Sequence, residues 1–406
     1  MKILFVCENF SKGGLETNLY TTIENMKNDV EFFFAFGKYN EDWNFQNVYT
    51  NFHFSLSSTI KDFIEDVNNL IKIIKDNKID IVHAQPFFSF FPAVFAAKIC
   101  RIPVVYTYHG MGSFNFPCYQ NDAFLFNMLV DYEVDKIFSV SQEGKKIMQN
   151  IVIEKDKIVF LPNSVDIKRF SKSKVINNKS WALVSRLDKD KINEIKKIIQ
   201  ILEDIDIDSL HIFGDGTEKE KLIEFIEKRN LTDKVIMKGH SNNLEEDING
   251  KYNGVIGIGR ALMEAISMEM PTILIGYNKI SGVVDSKLYK QVKNENFVNK
   301  NIEDISVDEL KYQILKVYNN YYDKRIFRLF KKEFSSSIVS NRYYQELRTI
   351  KKTTLLNLEY VFEELKELDG DKFMYSSNEV FNILRKNLGF YVRQPHQKNI
   401  VVLKNV

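Results

Sequence analysis

Short, almost continuously apolar runs alternate with longer amphipathic stretches from the first residue onward, and this rhythm constrains the fold more than any other feature. The runs occupy residues 2–7, 30–36, 79–84, 104–109, 136–141 and 157–163. A strand buried on both faces has no polar face to present, so unbroken apolar character is what a parallel sheet demands. Residues 62–77 place Phe63, Val67, Leu70, Ile71 and Ile74 on one side of a helix, which supplies a crossover element. The segment 168–180, KRFSKSKVINNKS, is polar, basic and without apolar period, as a linker is. Beyond it the rhythm restarts, with runs at 181–186, 209–215, 235–239, 254–259 and 272–276. The pattern predicts an α/β protein of two Rossmann-like, doubly wound parallel-sheet domains, 1–170 and 171–305. Helices over 306–350 are expected to pack back on the first domain, and a helical extension over 351–406 has no assigned role. Open sheets of this kind bind ligands beyond the carboxyl ends of their strands, which places the expected site in a cleft between the domains.

At ~150 residues per domain, a chain of 406 residues has room for two or three cores. Lys and Arg number 56 against 54 Asp and Glu, a net charge of +2, so no bulk field draws the chain to nucleic acid. An anionic ligand has to be held by a few placed residues. Cys7, Cys100 and Cys118 share no metal or redox spacing and make no disulfide framework. The apolar run before Glu8 is too short for a signal peptide, and Pro86–Ala97 falls well below the ~20 apolar residues of a membrane span. The expectation is a cytoplasmic protein, with peripheral contact at the inner face of a membrane left open. Lys61, Lys72, Lys75, Lys78, Lys145 and Lys146 alternate with acids, as a solvated face does.

Several residues at predicted strand ends have the chemistry of a phosphate site. Gly13 and Gly14 follow the first run and precede a helix, where a bare backbone and unpaired N–H groups suit an anion, although an ordinary turn looks the same. Arg186 and Lys191 in SRLDKDK suit a diphosphate, while the intervening Asp188 and Asp190 suit a plain solvated loop. In GIGRALMEA, Gly257 and Gly259 clear a strand-to-helix turn and Glu264 lies near the helix start, where its carboxylate can accept from ribose hydroxyls. Leu262 stands where a nicotinamide-binding fingerprint has its third glycine, which argues against that cofactor. Gly214 and Gly216 form another glycine turn. His109 closes an apolar strand at the expected ligand edge, whereas His83 reads as structural. Asp204, Asp206 and Asp208 alternate as metal ligands can, but they precede a strand, away from that edge. Phe87, Phe88, Phe90, Phe91, Phe114 and Phe116 are read as core, with a bulky acceptor as the other reading.

The order of GG after the first strand, YTYHG, VSQEGK, LPNSVDIKRF, SRLDKDK, IFGDGTEKEKL, MKGH and GRALMEAISMEMPTI resembles the retaining GT-B glycosyltransferases of family 4, also called group 1. The resemblance runs from residue 1 to about 345 and is most specific at LPNSVDIKRF and at the Arg186 and Lys191 spacing. It implies that Gly14, next to the candidate Gly13, lies beside the donor diphosphate, that His109 lies near the donor sugar, and that Arg186 and Lys191 clamp the diphosphate. Glu264 matches the second glutamate of the EX7E motif, which holds the donor ribose. The backbone at Gly257, Gly259 and Arg260 approaches the donor, with Gly214 and His240 bordering the nucleotide. The first EX7E position is Ile256, and the glycine that normally follows the clamp lysine is Ile192. Some branches of the family carry a GxGR turn in place of that first glutamate.

The implied activity is that of a metal-independent hexosyltransferase. It moves a hexose with retention from a UDP- or GDP-sugar to a hydroxyl of a cell-surface polysaccharide, glycolipid or glycoprotein. The nucleotide-sugar is a substrate, and no cofactor is implied. Two other readings stay open: a non-catalytic sugar-binding or partner subunit, and a nucleotide-sugar epimerase on the same fold.

Overall fold

The computed structural model describes residues 1–11, 13–26, 28–110, 120–174, 178–205, 207–241 and 243–392. Contacts divide the chain into two compact units, Met1–Pro162 with Ser340–Val406, and Asn163–Val339. The first unit contains strands β1 (Lys2–Phe10), β2 (Glu31–Tyr39), β3 (Val48–Tyr49), β4 (Ile81–Ala84), β5 (Val104–Tyr108), β6 (Lys136–Ser139) and β7 (Ile158–Phe160). They form one sheet in the order β3-β2-β1-β4-β5-β6-β7, parallel throughout. The second unit contains β8 (Trp181–Val184), β9 (Leu210–Phe213), β10 (Val235–Gly239), β11 (Gly254–Gly257), β12 (Thr272–Gly276) and β13 (Lys279–Val283). Their order is β10-β9-β8-β11-β12-β13, and only the β12–β13 hairpin is antiparallel.

Each apolar run in the sequence is a strand. Ile3, Leu4, Phe5 and Val6 are all fully buried. Successive side chains point to opposite faces, so β1 feeds two cores. Ile3 and Phe5 pack with Leu19, Ile23 and Tyr343, whereas Leu4 and Val6 pack with Phe63, Val67 and Phe362. The helix expected over 62–77 runs Ile60–Asn77, started by a capping box between Thr59 and Asp62 and ended by Lys78 in the left-handed region. The sequence does not announce β3, an edge strand of two residues, or β13, where Lys279, Ser281 and Gly282 break the apolar run. An antiparallel edge strand needs no such run.

Three expected boundaries move. The helices Val307–Tyr318 and Arg325–Phe334 cover the second sheet and not the first domain. Leu310 and Ile314 join Leu183 and Ile256 on one face, and Phe327 and Phe330 join Val255 and Leu274 on the other. Their apolar stripes are the lining that this sheet needs, and the chain returns to the first unit only from Ser340. The boundary expected at 170 lies at 162, because Val165 and Phe170 are buried in the second unit's core. The extension from 351 is integral to the first unit: Leu356, Val361, Phe362, Met374, Tyr375 and Leu384 share the core of Leu4 and Val6.

A buried charge network ties this extension down. Lys98 Nζ donates to Asp135 Oδ2 at 2.7 Å, with side-chain exposures of 1% and 0%, and also to the Thr353 carbonyl. Asp135 Oδ1 accepts from the Thr353 N–H and hydroxyl, and Glu133 Oε1 accepts from the N–H groups of Leu355 and Leu356. Burial pushes the Lys98 ammonium down, and Asp135 works against that. Asp135 Oδ2 also accepts from the Val104 N–H, so Asp135→Ala would strand a buried cation and the N–H groups of Val104 and Thr353 at once. Urea denaturation should show a loss of about 3–5 kcal/mol in that variant.

Candidate functional site

In each sheet the strand order reverses once, and a gap opens where successive connections diverge to opposite faces. In the second unit the reversal lies between β8 and β11. The loop after β8 carries Arg186 and Lys191, and the turn after β11 carries Gly257, Gly259, Arg260 and Glu264. Arg186 Nη1 lies 2.8 Å from Asp188 Oδ2 and its Nη2 lies 4.0 Å from Asp190 Oδ2. Lys191 Nζ lies 3.4 Å from that same Asp190 oxygen. The two cations therefore converge on a single anionic point. They differ in freedom, since the Arg186 side chain is 72% exposed and that of Lys191 only 12%.

The turn after β9 holds this loop in place. Leu187 N–H donates to the Asp215 carbonyl, Glu218 N–H donates to the Leu187 carbonyl, and Thr217 N–H donates to Asp188 Oδ1. A Cβ at Gly214 would lie 1.8 Å from the Ser185 carbonyl oxygen, and one at Gly216 would lie 2.5 Å from the Leu187 carbonyl carbon. Packing of the two turns thus accounts for both glycines. His240 is exposed just beyond Gly239, whose carbonyl accepts from the Gly214 N–H.

The β11 turn combines clearance with a fixed carboxylate. A Cβ at Gly257 would press on the Val184 carbonyl at 2.9 Å, so this glycine serves the approach of β8 to β11. Gly259 caps the helix Arg260–Ser267 with φ +60 and ψ −126, a backbone conformation that favours glycine, and a Cβ there would lie 3.7 Å from the Asn296 carbonyl oxygen, an ordinary contact, so the backbone and not crowding calls for glycine. Arg260 Nε donates to Glu264 Oε1 at 2.8 Å and its Nη1 donates to the Ser164 carbonyl at 3.1 Å. Burial pushes the Glu264 carboxyl up, while Arg260 and then Arg169 pull it down. The sequence reading placed only the Arg260 backbone at the site. The i,i+4 spacing of Arg260 and Glu264 was the signal for this side-chain pair. Ile256 is wholly buried with Leu183 and Ile273, so the first EX7E carboxylate has no counterpart at that position.

In the first unit the reversal lies between β1 and β4, which brings Gly13, Gly14 and the segment Gln85–Phe88 to one edge, with His109 beside them after β5. Gly13 is extended, and nothing lies within 4 Å of a Cβ built on Gly14. Among the described residues no packing demands the missing side chain at Gly14. His109 Nε2 pairs with Gln85 Oε1 at 2.9 Å, and burial pushes the imidazole down to about 4. His83 is structural, held between the Thr107 and Tyr343 hydroxyls. Glu8, which the sequence reading passed over, accepts from the Phe88 N–H at 2.9 Å, and burial pushes its carboxyl up. Phe88 and Phe91 pack on Tyr375, and Phe90 is buried beside Tyr106. Phe114 and Phe116 lie outside the described residues.

Of the alternating aspartates, Asp204 pairs with Lys311 and Asp208 accepts from the Lys179 N–H, both away from the strand carboxyl ends, while Asp206 lies outside the described residues. Among the described residues no helix is long and apolar enough to cross a membrane. Because His109 sits well below the ordinary 6.5, the folded state binds fewer protons than the unfolded one between about 6.5 and about 4. Its contribution to stability is therefore present above pH 6.5 and is lost as pH falls through 4. Denaturation at pH 7 and pH 5 should show a smaller drop for His109→Gln than for the wild type.

Two parallel sheets of this order, with a helical extension, define the GT-B fold of the glycosyltransferases. Residues 12–169 match the model of Glycosyltransferase Family 4, the type that the motif order resembles. The chain is 24% identical over 156 residues, 36% of its length, to the poly(glycerol-phosphate) alpha-glucosyltransferase of Bacillus subtilis, and the match spans 23% of that protein. The structure of HepE from Anabaena in complex with UDP superposes with a TM-score of 0.68 at 16% identity, over 86% of this chain and 100% of that one. TarM superposes with a TM-score of 0.62 at 13% identity, over 86% and 99%. Likenesses at such identities carry the fold.

Proposed function

We propose that the chain is a retaining hexosyltransferase that takes a hexose from a nucleotide-diphospho-sugar, with UDP the first donor to try, and delivers it to a hydroxyl of a cell-surface polysaccharide, glycolipid or glycoprotein. The observation that carries this reading is the convergence of Arg186 and Lys191 on one anionic point at the β8–β11 reversal. That point lies at the sheet edge shared with the Gly259 helix start and a carboxylate oriented by Arg260. The family match and the sugar-transferring relatives support it.

In this reading the diphosphate displaces Asp190 from the two cations. Breaking the bond between sugar and diphosphate builds positive charge at the anomeric carbon and negative charge on the departing phosphate oxygen. Arg186, Lys191 and the N–H groups at the start of the helix Arg260–Ser267 stabilise that negative charge as it develops. The acceptor hydroxyl attacks from the face that the diphosphate leaves, and its proton passes to the leaving phosphate oxygen. Glu264, with one oxygen held by Arg260, accepts from the ribose hydroxyls, and His240 borders the base. The basic pair and the helix start do the charge work, so no metal enters the reading.

Release of UDP or GDP from a panel of nucleotide sugars is the direct assay. Arg186→Ala and Lys191→Ala should each lower turnover by about 100-fold. Near-wild-type rates in both variants would refute the clamp. Binding without release in the wild type would favour the non-catalytic reading, and interconversion of donor sugars the epimerase. Asp190→Asn removes the competing carboxylate and should tighten UDP binding about two- to fivefold in calorimetry, as expected for an exposed ion pair.

A further inference from the structure

The β12–β13 hairpin turns through Tyr277 and Asn278, with φ of +51 and +59. Left-handed backbone at both central residues is the tight hairpin geometry that glycine and asparagine favour, and a bulky aromatic is an uncommon occupant. The tip is tied to the helix Ile192–Glu203: Asn193 Nδ2 donates to Asn278 Oδ1 at 3.3 Å, and Lys197 Nζ donates to the Asn278 carbonyl at 3.4 Å. This anchoring sets the Tyr277 ring under Lys191, whose Nζ lies 4.8 Å from the ring centroid. Lys191 itself caps that helix, and its side chain is almost wholly sheltered although Tyr277 remains 46% exposed.

We propose that Tyr277 is a positioning residue of the donor site, holding the Lys191 ammonium where a diphosphate meets it; the inference rests on the donor reading above. A lysine carries its charge on a long flexible stem, and an aromatic face is one of the few surfaces that hold an ammonium without neutralising it. Asp190 reaches the same ammonium at 3.4 Å with a full negative charge. A diphosphate can replace that carboxylate, whereas the ring can stay in place when the diphosphate binds. Among the described residues Arg186 meets carboxylates and no such ring, and at 72% exposure it is the more solvated member of the pair.

Calorimetric titration with UDP, on the full chain, compares wild type, Tyr277→Phe and Tyr277→Leu. Phenylalanine keeps the ring face and should bind as the wild type does. Leucine should weaken binding about two- to fivefold, the range for such a contact near the surface. In a Lys191→Ala background the leucine substitution should change nothing further. Equal losses in Phe and Leu, or a leucine effect that survives without Lys191, would overturn the proposal. A readout without nucleotide separates this inference from the donor reading. After reductive 13C-methylation, the Lys191 methyl resonance, assigned with Lys191→Arg, should lie upfield in the wild type and Tyr277→Phe and move back in Tyr277→Leu. An unshifted Lys191 resonance in the wild type overturns Tyr277's role whether or not UDP binds. A shifted resonance in a protein that binds no nucleotide upholds the contact while the donor reading fails.

Discussion

Burial of a parallel sheet on both faces is the constraint on which the rest of this molecule depends. With Ile3, Leu4, Phe5 and Val6 all removed from water, β1 has no face left for polar chemistry, and the same holds for Val255 and Ile256 in β11. Reactive side chains are driven to the loops beyond the strand ends, and among those loops the reversal of strand order leaves one gap per sheet. Two arginines, a lysine and a glutamate that are separated in sequence gather at the second gap because the sheet order brings β8 and β11 together.

The charges at that gap are already paired. Asp188 and Asp190 hold Arg186, Asp190 also holds Lys191, and Glu264 holds Arg260. The pairs with Asp190 cost little to break, because that carboxylate is itself 60% exposed and water and salt screen it. The pair of Arg260 and Glu264, with side-chain exposures of 13% and 8%, is costly to break and behaves as part of the scaffold. A ligand that replaces the first kind and leaves the second intact meets a site that reorganises only at its surface.

The strands and the glycine turns were legible because continuous burial and sharp turns leave their mark on adjacent residues. Arg186, Lys191 and Glu264 could be named because they stand at the ends of such strands. What escaped was non-local or small. The Lys98 and Asp135 network needs residues far apart in sequence, and nothing near Thr353 announces that it caps a buried carboxylate. Tyr277 sits in a two-residue turn beside an edge strand whose own pattern is broken by Gly282. Helices 307–318 and 325–334 were seen as helices but assigned to the wrong sheet, since an apolar stripe says that a helix is covered and not by what. Gly257 and Gly14 look alike in sequence, yet one is forced by a neighbouring carbonyl and the other meets no packing neighbour among the described residues.

The division of the chain also sets an order of events at the ribosome. Residues 163–339 are one uninterrupted stretch and can close their own core as soon as they emerge, whereas the earlier strands still lack Tyr343, Phe362 and Leu384. Synthesis runs from the amino end, so β1 to β7 must wait, greasy flanks uncovered, while the whole inserted unit is made. The nascent amino-terminal sheet is thus the part of this protein whose apolar surface waits longest for its cover.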